Sequence, residues 1–451
     1  MVKPVTVEEF DVITSNPEYL NKNGYGVLEE PAFSRLVDFV GEFVENDEHA
    51  DANEFLRVYK PKNRVLGDCV VSVNNYVGLI QLRGGYQVQI FPKIDFDDNS
   101  GATFLKMLRS LKDFPGKKAT LADLKTDRMN LYEVFISMYI QEARNLVKKG
   151  IKSSYVEQES NLKFYKGKLL VSQHIKTNLA HGERFYVSYE EFLPDRAENR
   201  LVKSTLLKLQ TITTSAKNAK EIRQLLMSFE MVGPSPNYDK DFSKVVIDRN
   251  TKDYEMLMKW SRVFLFNKSF STFSGKTNSR AILFPMEKVY ESYVAQQMKR
   301  EFSPFGWDVS AQDQGYYLFE EQSDNGKTKN IFRLRPDIVM RRKLDGKIVI
   351  MDTKWKRLIP DRKKNYGITS GDMYQMYAYA KKYSRDGYTP EVWLLYPKTN
   401  EMSETLHFDS LDGVKVHAFF IDIPNIDKAV NVGSLKYLRM MIDKALENIE
   451  E

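Results

Sequence analysis

The chain has 451 residues, enough for two or three domains with cores of their own. Apolar residues make up 42% and charged residues 28%, an ordinary soluble balance, and no apolar run reaches the ~18 residues of a membrane span. The net charge is a mild +6; the single cysteine, Cys69, excludes an internal disulfide framework and fits a reducing cytosol, and with only five histidines any metal is expected to be a hard ion held by carboxylates.

The N-terminus, MVKPVTVEEFDVITSNPEYL, has no basic region followed by an apolar stretch, so no secretory signal is expected. The first hundred residues read as β-rich. In VGLIQLRGGYQVQIFPKI, Val77–Leu82 and Tyr86–Phe91 flank the turn Arg83-Gly84-Gly85, a hairpin pattern. Tyr86, Val88 and Ile90 alternate with Gln87 and Gln89, which predicts one buried and one polar face. From Leu105 to about Lys149 the pattern turns helical, clearest over 120–150, with Gly150 as the C-terminal cap. Residues 154–192 read as extended segments joined by turns, followed by one long helix over 198–230. Residues 232–252 read as a connector, 253–266 as a helix and 267–279 as a Ser/Thr/Gly-rich loop.

In that loop, SGKT (274–277) resembles the end of a phosphate-binding loop, but the required first glycine falls on Phe270 and no strand-to-helix turn is evident. The chain is therefore not expected to hydrolyse a nucleotide by itself. The last part predicts a helix at 284–301, strands near 315–321, 331–340 and 347–354, a helix at 372–384, strands near 391–396 and 415–423, and a closing helix at 433–449. This order makes a mixed sheet with helices on its faces. The whole is a multidomain α+β chain: a β-rich part over 1–100, a mixed and largely helical middle over 101–270, and a C-terminal α/β domain over 280–451.

The C-terminal strands carry the chemistry. Asp337 lies in FRLRPDIVM and Asp352 and Lys354 lie in KIVIMDTKW, where apolar residues would stabilise strands better. Residues two apart on a strand share a face, so Asp352 and Lys354 project together. The turn at Asp345-Gly346 implies an antiparallel pair that brings Asp337 beside Asp352. Two adjacent carboxylates repel unless a cation lies between them, and Mg²⁺ or Mn²⁺ suits oxygen ligands. Lys354 can then hold the attacking water or neutralise charge on a phosphoryl oxygen. Residues 341–364 hold ten Lys or Arg against three Asp; such a run can be a solvated face, but around buried acids it suits a phosphate backbone. Gln375 and Tyr379 share a face of the following helix, and Glu287 and Glu291 share one of the preceding helix, where either glutamate could reach the metal.

Pro336-Asp337, then Asp352-Thr353-Lys354, then Gln375 and Tyr379 as Gln-x-x-x-Tyr resemble the PD-(D/E)xK nuclease superfamily in its RecB-like branch. With VYESYV near 289–294, LRPDIV, DTKWK and YQMYAYA, the chain looks more narrowly like the McrC family, the nuclease subunits of McrBC-type modification-dependent restriction systems. The hairpin ending in Pro92-Lys93 and the blocks at 165–178 and 192–206 extend the likeness over most of the chain. The resemblance implies a restriction-endonuclease-like C-terminal domain in which Asp337 and Asp352 bind Mg²⁺ (or Mn²⁺), the Thr353 carbonyl is a third ligand, Glu291 lies at the family's acidic position and Gln375 completes the site. It also implies that the N-terminal part docks on a McrB-like AAA+ GTPase ring and stimulates it, and that the substrate is double-stranded, modified DNA. A homodimer through the nuclease domain is one way to supply two active centres for two strands. Two rival functions remain open at this point: a non-catalytic activator of a ring GTPase, and a stand-alone repair nuclease.

Overall fold

The computed structural model of the chain describes residues 4–46, 56–61, 69–94, 100–111, 114, 130–266, 280–313, 315–322, 328–385, 388–423 and 433–447. The SGKT stretch, with the rest of 267–279, and residues 112–113 and 115–129 of the expected helical segment lie outside these.

The N-terminal part holds β1 (Val5–Glu8), β2 (Val12–Thr14), β3 (Tyr25–Val27), α1 (Glu30–Asn46), β4 (Leu56–Tyr59), β5 (Val70–Val73), β6 (Tyr76–Gln81) and β7 (Gln87–Phe91). One sheet runs β3-β2-β5-β4, and a second contains β1-β7-β6. Helix α1 is an addition to the β-rich expectation: Ala32, Phe33, Leu36, Phe39 and Val40 recur every three or four residues and pack with Val7, Ile13, Ile80 and Ile90. The expected hairpin forms, with β6 antiparallel to β7 and Gly84 at φ 81 in its turn. Its predicted polar face is not solvated, since Gln89 is only 3% exposed. The reason is that the sheet is covered on both sides: Val88 and Ile90 face α1, while Val77 and Leu79 face the helices of the middle region.

The middle region holds α2 (Ser100–Leu108), α3 (Leu131–Lys149), β8 (Ser154–Leu162), β9 (Lys168–Leu169), α4 (Val171–Asn178), β10 (Phe185–Leu193), α5 (Ala197–Ile212), α6 (Ala216–Met227), α7 (Tyr238–Lys244) and α8 (Glu255–Phe266). Gly150 ends α3 at φ 88 with its amide on the Val147 carbonyl, as expected. The single helix expected over 198–230 is two helices. Thr213 and Thr214 leave the helical path, and Glu133 of α3 accepts from both hydroxyls and from the Thr214 amide. Ser215 then caps α6. Residues 154–192 include a helix, α4, between long antiparallel β8 and β10, and the expected connector contains α7.

The rest comprises β11 (Arg280–Pro285), α9 (Met286–Phe302), β12 (Trp307–Ala311), β13 (Tyr317–Gln322), β14 (Thr328–Arg333), β15 (Ile338–Arg342), β16 (Ile348–Thr353), α10 (Ser370–Tyr383), β17 (Glu391–Pro397), β18 (Leu406–Asp409), β19 (Lys415–Ile421) and α11 (Gly433–Glu447). β11 belongs to the N-terminal sheet: it pairs antiparallel with β6 from Arg280↔Gln81 to Pro285↔Tyr76. This pairing explains Gly78, whose φ is +145 and whose Cβ would lie 2.0 Å from the Ile282 carbonyl oxygen.

The C-terminal sheet has six strands in the order β12-β15-β16-β17-β19-β18. β16, β17 and β19 run parallel, and β12, β15 and β18 are antiparallel to their neighbours. The strand expected over 331–340 is divided. β14 pairs with β13 as a separate ribbon, Phe332 has φ 54, and Pro336 has no N–H to offer a ladder; β15 begins only at Ile338. α9 and α11 pack on the sheet face of Val349, Met351 and Leu395, in one core with the middle helices. α10 covers the face of Val339, Ile350 and Leu394. Among the described residues no helix is long and apolar enough to cross a membrane.

Candidate active site

The register of β15 and β16 pairs Ile338 with Met351. One step further, Asp337 stands opposite Asp352, and cross-strand neighbours project to the same face. This is the α10 side, since Val339 and Ile350 pack there. Asp337 Oδ2 accepts from the Thr353 amide at 2.7 Å and from the Thr353 hydroxyl at 2.6 Å. The Asp337 carbonyl accepts from the Gln312 amide at 2.8 Å. Thr353 therefore orients Asp337 through its side chain, a role the sequence offers no signal for beyond its place between the aspartate and the lysine.

Asp352 is 2% exposed. Lys354 Nζ lies 2.6 Å from its Oδ2, a charge-assisted contact that pulls the Asp352 pKa down. Burial, and then the charge of Asp337, push the Asp352 carboxyl up to about 7. Burial also raises Asp337, against the pull of the Thr353 bonds and of Lys354. Burial opposes the Lys354 charge, but Asp352, Asp372 and Asp337 together hold its pKa above the ordinary lysine value.

α10 supplies the supports. Lys354 Nζ donates to Gln375 Oε1 at 3.0 Å, and Gln375 Nε2 donates to the Tyr379 hydroxyl at 2.8 Å. The spacing of four that puts Gln375 and Tyr379 on one face thus builds a chain from a buried phenol to the lysine. Asp372 enters without having been expected. It closes a capping box with Thr369 at the start of α10, accepts from Lys356 Nζ at 2.9 Å and lies 3.8 Å from Lys354 Nζ. Burial pushes its carboxyl up, but the bonds from Lys356 and Thr369 prevail and hold it below the ordinary value.

α9 separates its two glutamates. Glu291 accepts from Gln312 Nε2 at 2.8 Å, and burial followed by the charge of Asp337 raises its pKa. Glu287 instead acts electrostatically on Glu9 and Lys93 of the N-terminal part. Glu291 is thus the glutamate beside Asp337.

The donor set fits a hard divalent ion. Two carboxylates of raised pKa face each other, with a lysine ammonium 2.6 Å from one of them. Among the described residues no group of three or more His, Cys, Asp or Glu is placed to hold a metal ion. The two facing carboxylates match the one or two that Mg²⁺, which keeps several waters, takes from a protein.

The family model of the McrBC 5-methylcytosine restriction system component matches residues 71–397. No curated protein matches. Among solved structures, the chain is similar to one in the refined half-complex from a tetradecameric assembly of Thermococcus gammatolerans McrB AAA+ hexamers with bound McrC. The identity is 19% over 98% of this chain and 100% of that one, with a TM-score of 0.67. A second likeness, to the cryo-EM structure of the Thermococcus gammatolerans McrBC complex, has 19% identity over 66% of this chain and 88% of that one, with a TM-score of 0.46.

Proposed function

Since this chain belongs to the McrBC 5-methylcytosine restriction system component family, we propose that it is the endonuclease subunit of a GTP-driven restriction complex, with a PD-(D/E)xK site that cuts DNA phosphodiesters. The observation that carries this reading is the facing of Asp337 and Asp352 across β15 and β16, with Lys354 held 2.6 Å from Asp352. Buried acids whose pKa values are raised by burial and by one another are the arrangement a divalent ion relieves.

In this reading Asp337, Asp352 and the Thr353 carbonyl would hold Mg²⁺ or Mn²⁺, with Glu291 beside Asp337 completing the acidic pocket. When bound, the ion supplies Lewis-acid polarisation of the phosphodiester and eases ionisation of water. The side chains do the rest. Thr353 fixes the rotamer of Asp337. Lys354, kept protonated by the acids around it, neutralises charge developing on a phosphoryl oxygen. Gln375 and Tyr379 hold the lysine in place. The Lys- and Arg-rich segment 341–364 attracts the DNA backbone.

The partner follows from the family and from the neighbouring structure, which contains McrB AAA+ hexamers with bound McrC. We assign to this chain a McrB-like AAA+ GTPase ring, docked by the N-terminal part, and a double-stranded, modified DNA. The test is cleavage of methylated and unmethylated DNA by the full chain, with Mg²⁺ and GTP, in the presence and absence of the AAA+ partner. Cutting is expected only with the partner, and Asp352→Ala should abolish it while the partner's GTP turnover persists. Wild-type cutting by Asp352→Ala overturns the site. Cutting without the partner favours a stand-alone nuclease, and stimulated GTP turnover with no cutting favours a pure activator.

A further inference from the structure

Glu9 lies just past the end of β1, 346 residues from Trp355, yet its Oε2 accepts from Trp355 Nε1 at 2.9 Å. The same oxygen accepts from the Lys93 amide at 3.1 Å, and the Glu9 amide donates to the Phe91 carbonyl at 3.0 Å. Glu9 is 3% exposed, and its Oε1 is buried with no hydrogen-bond partner among the described residues. A carboxylate in that setting costs stability that a neutral side chain would not. What it does is grip an indole.

Trp355 is 2% exposed, with its ring centroid 5.3 Å from that of Tyr290 on α9. It stands between Lys354, which contacts Asp352, and Lys356, which contacts Asp372. The backbone of this segment is held by the Lys354 amide on the Leu395 carbonyl and by the Lys356 amide on the Lys354 carbonyl. Beyond the end of β16, the Trp355 side chain is anchored to Glu9, next to β1 of the N-terminal sheet.

We propose that Glu9 is a positioning residue for Lys354, acting through Trp355, so that the N-terminal sheet sets the geometry of the nuclease site. This rests on the nuclease reading above. Releasing the indole lets residues 354–356 shift together, moving the lysine relative to both acids without removing any group from the site. The N-terminal sheet is also the part assigned to the ring, so the contact joins the partner's platform to the catalytic segment in one step.

The test compares Glu9→Ala, Glu9→Gln and Trp355→Phe in the full complex, with Mg²⁺, GTP and methylated DNA. A displacement of about 1 Å can lower a rate about 100-fold, so Glu9→Ala and Trp355→Phe are each expected to lower kcat about 10- to 100-fold with KM for DNA unchanged. Glu9→Gln, whose amide oxygen still accepts the indole N–H, should restore most of the rate. The Glu9→Ala/Trp355→Phe double variant should be no slower than the slower single one, since both break one contact. A wild-type kcat in Glu9→Ala, an effect on KM alone, a Glu9→Gln variant as slow as Glu9→Ala, or multiplying losses would each overturn the proposal. Should Glu9→Ala not fold, Trp355→Phe and Glu9→Gln carry the same contrast. If the wild-type complex cuts no DNA, the nuclease reading fails, and amide hydrogen exchange over residues 353–357 judges the contact separately. Faster exchange in Glu9→Ala than in wild type and Glu9→Gln supports positioning; equal exchange in all three overturns it.

Discussion

A single oxygen of Asp337 accepts two hydrogen bonds from Thr353, one from the amide and one from the hydroxyl, at 2.7 and 2.6 Å. The carboxylate is therefore locked to the neighbouring strand before any ligand arrives. Thr353→Val keeps the branched shape and the amide but loses the hydroxyl. Outer contacts of this kind are worth about 10- to 100-fold in activity or metal affinity, so single-turnover cleavage should fall by about tenfold, while Thr353→Ser stays near wild type.

Removing a carboxylate tests the pair itself. Asp337→Asn and Asp352→Asn should each lower cleavage by more than about 100-fold, beyond what loss of an outer contact costs. The stability effect has the opposite sign. The Asp352 carboxyl, raised to about 7 by burial and by Asp337, contributes most below its unfolded value, and the contribution is lost as pH rises through about 7. Without divalent ions, Asp352→Asn should therefore melt above wild type at pH 8, with the gap closing toward pH 4. Added Mg²⁺ should narrow the gap at pH 8 by stabilising the wild type alone. Melting curves with and without the ion check both points.

Gln375 touches Lys354 and Tyr379 together. Gln375→Ala should lower the cleavage rate about 10- to 100-fold, as loss of an outer contact does, with the smaller part of that range for Tyr379→Phe, which only frees the amide. Binding of DNA by either variant, measured with Ca²⁺ in place of Mg²⁺, should match wild type; weakened binding would assign the pair to substrate contact instead.

Asp372 has two duties, capping α10 and pairing with Lys356. Asp372→Ala removes the acceptor of the Thr369 amide in the capping box and should cost about 1 kcal/mol, the net worth of one such hydrogen bond. Asp372→Asn keeps the cap acceptor, so in thermal denaturation most of that loss should be recovered. Its remaining deficit in cleavage then reports the charge near Lys354.

Much of the site was legible because its pieces obey local rules. Period-two alternation puts Asp352 and Lys354 on one face, a short Asp345-Gly346 turn brings Asp337 opposite, and a spacing of four joins Gln375 to Tyr379. What stayed hidden depends on tertiary contact. Asp372 stands at the expected start of a helix, and nothing in the sequence singles out Trp355 or Glu9. None has a spacing that ties it to the others. The fold follows the same division. Strong periodicity foretold α3, β16 and β17. The break between α5 and α6 turns on Glu133 from another helix, and the placement of β11 turns on a sheet partner far away in the chain.

Glu9 also makes a pH prediction. Its carboxyl is raised from 4.5 to about 6 by burial, against the Trp355 and Lys93 bonds, with Lys93 lowering and Glu287 raising it. A raised acid loses its contribution as pH climbs through the folded value. A shift of this size corresponds to about 2 kcal/mol. Glu9→Gln should therefore be more stable than wild type at pH 8 by an amount of that order, and the difference should vanish toward pH 4.5. Denaturant midpoints across that range measure it.

The return of β11 to the N-terminal sheet has a mechanical consequence. Pro285 ends a six-residue ladder with β6, and Met286 begins α9 with no residue between them. A displacement of the N-terminal sheet is thus passed to the helix bearing Glu291 with no connecting loop to absorb it. For the same reason the N-terminal sheet cannot be excised by cutting the chain at a single point: a fragment ending before Arg280 would leave β6 without its β11 partner and Gly78 with nothing to accommodate.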